Sequence, residues 1–254
     1  VEFAKIFNET YMVGFLLLFF RFAALFIAVP IFDHKNIPMN IKAVIAFFFT
    51  VFFYSTMPPP QISMDIPTIV VAILGEFILG LSVGIVLQLA YNVITFAGGQ
   101  ISYMMGFSLA SAIDPQTGVS MPIVSQFLSL LALMVLFALN LHHWILLFVA
   151  RTLETVPLGG FMVGKNFFHY IMHATSNMFL VGFMIAFPII ALSWLADVIF
   201  GMLMKTMPQF NLLVIGFPIK IMVAFAVLIA TLTAIMLILK GQMQEAFNML
   251  ETFF

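Results

Sequence analysis

Four charged side chains stand inside long apolar runs and are the residues best placed for chemistry. Arg21 interrupts FLLLFFRFAALF, Glu76 lies in the third apolar stretch, and Asp197 and Lys220 fall in the last two. An arginine at the centre of a lipid-buried helix costs about 2.5–3.5 kcal/mol on insertion scales, so all four are read as buried charges, each expected to face protein or water and to have a partner. Glu76 is a candidate partner for Arg21. A pair of this kind can gate or relay protons, but it can equally be a structural ion pair, and a long arginine can snorkel to an interface. The histidines offer less. His142 and His143 are adjacent and so point to different sides of a helix, while His169 and His173 have a metal-compatible i, i+4 spacing but no evident third ligand. No HExxH, GxSxG or phosphate loop occurs, and no nucleophile–base pair or close carboxylate pair is visible. These residues point away from catalysis and indicate no cofactor or metal.

Composition says what must hold those groups in place. Of 254 residues, 64% are hydrophobic and 7% charged, with a mean hydropathy of +1.20, whereas a soluble domain carries about 25% charged residues. Such a chain cannot cover itself with polar surface. It is an integral membrane protein or a subunit buried in a membrane-associated complex, with lipid as a partner. A net charge of −1 leaves no basic field for nucleic acid and no acidic tail. Absence of cysteine excludes disulfides and thiolate metal sites. The 19 Met and 32 Phe are read as core filling, with Met suited to surfaces that repack. VEFAKIFNET carries mixed charge and no small-residue cleavage site follows, so the first apolar segment is expected to stay in the mature protein.

About six segments reach the ~20 residues that a hydrocarbon core requires: Tyr11–Ile31, Ile41–Met57, Thr68–Ala97, Ile123–Leu141, Phe167–Met204 and Leu212–Lys240. They are too long and too continuously apolar for strands, so the expected fold is an all-α membrane bundle. Pro58-Pro59-Pro60, Pro67, Pro157 with Gly159-Gly160, and Pro208 punctuate it. Basic residues divide evenly between the two sides, so the positive-inside rule gives no orientation, which hints that some segments do not cross the bilayer in the usual way. In the third segment Glu76, Gly80, Gly84, Gln88 and Asn92 repeat at i, i+4 and form one ridge. Gly80 and Gly84 make it narrow enough for a neighbouring backbone to approach. The fifth and sixth segments form a hairpin with its tip at Lys205–Asn211. Gly182 and Pro188 are expected to bend the fifth, and Pro218 to break or kink the sixth near its start. The tail GQMQEAFNMLETFF, with its Met243, Phe247 and Leu250 stripe, reads as a surface helix that could dock a partner.

One stretch does not fit lipid at all. Gly98–Pro122, GGQISYMMGFSLASAIDPQTGVSMP, is rich in small and polar residues, and Asp114-Pro115-Gln116-Thr117-Gly118 is a strong turn signal. Open backbone is not tolerated in hydrocarbon, so this stretch is a solvated loop or is buried inside protein.

The run GGQISYMMGFSLASAIDPQTGVSMPIVSQF, then Asn140 and His142, then PQFNLLVIGFPIKI, resembles the FliR family of bacterial flagellar export-gate proteins, relatives of the SctT subunits of type III secretion systems. The likeness extends over essentially the whole chain, including Arg21, Pro30, Pro38, Glu76, Gly80 and Gly84. It implies a helical, closed export gate assembled with FliP and FliQ homologues, much of it above the plane of the bacterial inner membrane, in the flagellar basal body. Residues 1–166 would be FliP-like and 167–254 a FliQ-like hairpin with its tail. A loop over about 105–121, carrying Gly106, Phe107, Ser108, Ser111, Asp114, Pro115, Gln116 and Gly118, would plug the closed pore. The tip, with Lys205, Pro208, Gln209 and Asn211, would join the cytoplasm-facing entrance where an FlhB homologue packs. Unfolded flagellar proteins would be the cargo. A pore for unfolded chains needs a small, adaptable lining, which Gly, Ser, Ala and Met supply. The alternative is a proton-coupled small-solute carrier using Arg21, Glu76, Asp197 and Lys220, although no inverted repeat is evident.

Overall fold

The computed structural model describes residues 9–32, 37–56, 59–60, 62–107, 122–161, 165–207 and 211–253. The helices are α1 (Glu9–Ala28), α2 (Met39–Phe53), α3 (Ile66–Met104), α4 (Ile123–Ala138), α5 (Leu141–Thr155), α6 (Lys165–Thr206) and α7 (Phe217–Phe253). A 3₁₀ turn, Tyr54–Thr56, follows α2 and a π turn, Leu212–Gly216, leads into α7. No strand occurs among the described residues, and the chain is an all-α membrane protein.

Among the described residues four helices are long and apolar enough to span a bilayer, or five if α4 and α5 count as one bent span, where about six segments were expected. At 15 residues α2 reaches only about 22 Å, short of a ~30 Å core. The second difference is α5 itself, which the sequence reading took as connection. Asn140, in the left-handed region at φ 56°, turns the chain by 63° between α4 and α5. Asparagine tolerates that conformation better than most residues. Leu141, Ile145, Phe148, Val149, Thr152 and Leu153 are the buried face of the new helix. The third difference is the tail. It is no separate surface helix but the end of α7, with Met243, Phe247 and Leu250 buried in the chain and Phe247 packed edge-on to Trp144 at 5.7 Å. Finally, α6 runs as one helix of 42 residues through Pro188. The proline stands on an exposed face.

Two compact units divide the chain. The first comprises Val1–Ala90, Phe137–Ala174 and Met243–Phe254; the second comprises Tyr91–Leu136 and Thr175–Gln242. They do not coincide with the expected division after residue 166, because α3, α6 and α7 each give residues to both. In the first unit, Phe22 and Phe26 of α1 meet Phe49 and Phe53 of α2 with ring centroids 5.3–5.9 Å apart. In the second, Val93, Ile94, Ala97 and Ile101 of α3 and Val124, Leu128 and Ala132 of α4 are buried. There a Cβ at Gly98 would lie 2.5 Å from Ser125 Cα, so α3 and α4 touch backbone to backbone.

Candidate functional site

The glycine ridge of α3 decides where Arg21 goes. A Cβ at Gly80 would stand 2.2 Å from the Arg21 carbonyl oxygen, and one at Gly84 would stand 2.5 Å from Ala28 Cβ. With both positions bare, α1 lies directly on α3. Glu76, one turn before Gly80, then meets the Arg21 guanidinium: Nε donates to Oε2 at 2.5 Å and Nη2 to Oε1 at 3.0 Å. Both side chains are buried, with 1% and 0% of their surface exposed. A planar fork against a carboxylate is the geometry in which arginine pairs most strongly.

The remaining donors and acceptors are met by α5 and the loop after it. Arg21 Nη1 donates to Thr152 Oγ1 at 3.3 Å, and that hydroxyl donates to Val149 O. Nη2 also donates to the Val156 carbonyl at 3.3 Å, and the Gly159 N–H donates to Glu76 Oε1 at 2.8 Å. The loop can come this close for two reasons. Gly159 sits at φ +81°, where a side chain would be strained and would strike Ile62, and Gly75 leaves room for the Phe161 carbonyl. Thr152, Val156, Gly159 and Gly75 were not singled out from sequence. The available signal was the Pro157–Gly160 turn, read only as punctuation. Chemically the cluster is closed: a buried acid and base hold α1, α3, α5 and a loop together, each bonded to the other and to neutral groups.

In the second unit Lys220 of α7 reaches Asp197 of α6, with Nζ 2.7 and 2.8 Å from the two carboxylate oxygens. Lys220 is buried, but Asp197 is not: 54% of its side chain is exposed, which corrects the expectation of a buried group. It stands on the outward face of α6, and only its partner's side chain is covered.

The same unit holds both stems of the polar stretch. Gly106, at φ +85°, ends α3: its N–H donates to Tyr103 O, and the Phe107 N–H donates to Ser102 O. This is the paired-bond ending that a left-handed residue after a helix produces. The Phe107 ring rests near Phe225 at 6.3 Å. On the other side, the Val124 N–H at the start of α4 donates to Ser102 Oγ at 3.2 Å, and Ser125 Oγ donates to Thr95 O at 2.7 Å. The helices on either side of 108–121, α3 and α4, are therefore bonded to one another. Gly106 and Phe107 belong to the helix ending. Ser108, Ser111, Asp114, Pro115, Gln116 and Gly118 lie outside the described residues, as do Pro208 and Gln209. Lys205 and Asn211 are exposed beside the hairpin tip. Among the described residues no three His, Asp or Glu side chains converge to hold a metal ion.

The model of bacterial export proteins, family 1, matches residues 12–246. The flagellar biosynthetic protein FliR of Bacillus subtilis (strain 168) is 32% identical over 232 residues, 90% of this chain and 89% of that protein. FliR of Escherichia coli (strain K12) is 28% identical over 230 residues, 91% and 88% of the two chains. FliR of Aquifex aeolicus (strain VF5) is 24% identical over 251 residues, 98% and 96%. With the family model matched across nearly its whole length, this chain belongs to the bacterial export proteins, family 1.

Proposed function

We propose that this chain is a non-enzymatic subunit of the flagellar type III protein export gate. With FliP and FliQ homologues it forms the closed pore through which unfolded flagellar proteins cross the bacterial inner membrane, at the flagellar basal body. Residues 1–166 supply a FliP-like part and 167–254 a FliQ-like hairpin. The hairpin tip, with Lys205, Pro208, Gln209 and Asn211, faces the cytoplasmic entrance and an FlhB homologue. The loop over about 105–121 plugs the channel, with Asp114 or Gln116 fixing its resting position by bonds to neighbouring backbone.

The observation that carries the plug is the pair of locked stems. Ser102 and Ser125 bond α3 to α4, and the Gly106 ending closes α3, so neither helix depends for its own ending on the small and polar stretch 108–121 between them. Helix length supports the setting. At 39, 42 and 37 residues, α3, α6 and α7 are roughly 55–63 Å long, about twice a ~30 Å hydrocarbon core. Much of each then stands clear of lipid. The charged residues favour this reading over a solute carrier: each acid is already bonded to its own base, and the Arg21–Glu76 cluster has no open side for a passing proton or solute.

Deleting 108–118 in the assembled complex and recording ion conductance tests the proposal. A leaking channel in an intact complex is expected. Unchanged conductance in a complex of native composition defeats the plug, and failure of the native chain to co-purify with FliP and FliQ homologues defeats the gate.

A further inference from the structure

Asp197 sits in surroundings that neither water nor lipid suits. Beside Asp197 and Gly201 on α6, Trp194, Val198 and Met202 make an i, i+4 row of exposed apolar side chains. A continuous apolar patch of that kind is unfavourable in water. Bare lipid is no better, because a carboxylate with half its side chain exposed is costly there even when paired. Lys220 Nζ satisfies one position on each oxygen, and a carboxylate has about four acceptor positions in all. Only protein that is apolar overall and brings one donor to the carboxylate suits the whole face.

Gly201 supports this independently. It lies one turn beyond Asp197 and is exposed, and among the described residues nothing stands within 4 Å of where its Cβ would be, as at Gly99 and Gly241. Glycine weakens a helix interior relative to alanine. Elsewhere in this chain the helical glycines Gly80, Gly84, Gly98 and Gly182 each have an atom within 2.7 Å of that position, so their bareness is used by a neighbour. At Gly201 no neighbour among the described residues uses it. A bare notch beside an open acceptor, in an apolar face, is what a closely packed second helix requires.

We infer that the face of α6 around Asp197 and Gly201 seats an apolar helix of another membrane subunit, one that presents a side-chain hydrogen-bond donor to Asp197. The inference rests on the reading of this chain as one subunit of a membrane assembly. To test it, Trp194 is replaced by photoreactive p-benzoylphenylalanine in the chain co-expressed with its FliP and FliQ homologues. The purified complex is irradiated and the adduct mapped by peptide mass spectrometry. The expected adduct lies on a helix of another subunit, within one turn of a Ser, Thr, Asn, Gln, Lys or Arg. A second variant, Asp197→Leu with Lys220→Met, removes the pair without leaving either charge alone. It is expected to keep native membrane level and protease resistance, yet to enter the complex at least about tenfold less well, the loss of one hydrogen bond to a charged acceptor. Adducts only to lipid, adducts to a second copy of this chain, or native incorporation of the double variant overturn the inference while the gate reading stands. If the native chain forms no complex, the gate reading falls and this inference with it.

Discussion

The Arg21–Glu76 and Lys220–Asp197 ion pairs are built from the same chemistry and finished differently. Arg21 and Glu76 are covered by α1, α3, α5 and the loop to Phe161, and Thr152, Val156 and Gly159 satisfy what the pair itself leaves over. Lys220 and Asp197 meet with equally short bonds, but the carboxylate faces outward. Burial makes the first pair intolerant of losing either member, because the remaining charge has no water to turn to. Exposure makes the second pair cheap to disturb within the chain and leaves its free acceptor positions available from outside. One pair fixes the chain's own fold; the other is open toward a neighbour.

The largest expected effect comes from breaking the closed pair. Glu76→Ala strands a buried guanidinium and should destabilise the detergent-solubilised protein by about 3–5 kcal/mol, read as a drop of roughly 6–20 °C in thermal unfolding. Arg21→Met with Glu76→Leu removes both charges and should recover most of that loss. A double variant as unstable as Glu76→Ala would mean that the neutral partners, not the charge, dominate.

Gly80→Ala should come next, at about 1–3 kcal/mol, because its Cβ would meet the Arg21 carbonyl oxygen at 2.2 Å and force α1 outward. It acts by separating the same pair, so its effect should add poorly to that of Glu76→Ala. Full additivity would show that the ridge and the pair are independent.

Asp197→Asn should cost the isolated chain about 1 kcal/mol, since the side chain it replaces is half-exposed and the amide oxygen can still accept from the Lys220 ammonium. A loss above about 2 kcal/mol by thermal unfolding would erase the distinction drawn between the pairs.

The smallest effect is at the start of α3. Asp65 accepts from the Thr68 N–H at 3.3 Å and from its hydroxyl at 2.7 Å, capping the helix that carries Glu76. Hydrogen bonds from Ser63 and Thr68 hold its carboxyl below the ordinary value of 3.8. A lowered carboxylate pKa contributes stability that is full above 3.8 and lost as pH falls through the lowered value. Hydrogen exchange of the first turn of α3 should therefore accelerate only at more acidic pH than 3.8, with the Arg21–Glu76 cluster unaffected. Exchange that keeps the same protection, relative to the intrinsic amide rate, well below pH 3.8 would show that the cap contributes nothing.

Much of this was legible in the chain itself. Apolar runs longer than a strand can use, with 7% charge, leave only a helical membrane protein. The i, i+4 ridge placed Gly80 and Gly84 beside Glu76 on one face, because helical periodicity is a local property. The likeness to the export family came from contiguous residues in the same way. Partners distant in sequence were not legible. Arg21 and Glu76 are 55 residues apart, and Thr152 lies 131 residues from Arg21. Helix α5 was missed because its buried face includes Thr152 and its flank carries Arg151 and two histidines, which lower its hydropathy without disturbing its period. The tail was read as a surface helix because an amphipathic stripe does not say what it packs against. Sequence fixes which face of a helix is apolar and which residues are small. Only the packed chain decides which charge is enclosed and which is left facing out, because that depends on the backbones that the bare glycines allow to meet.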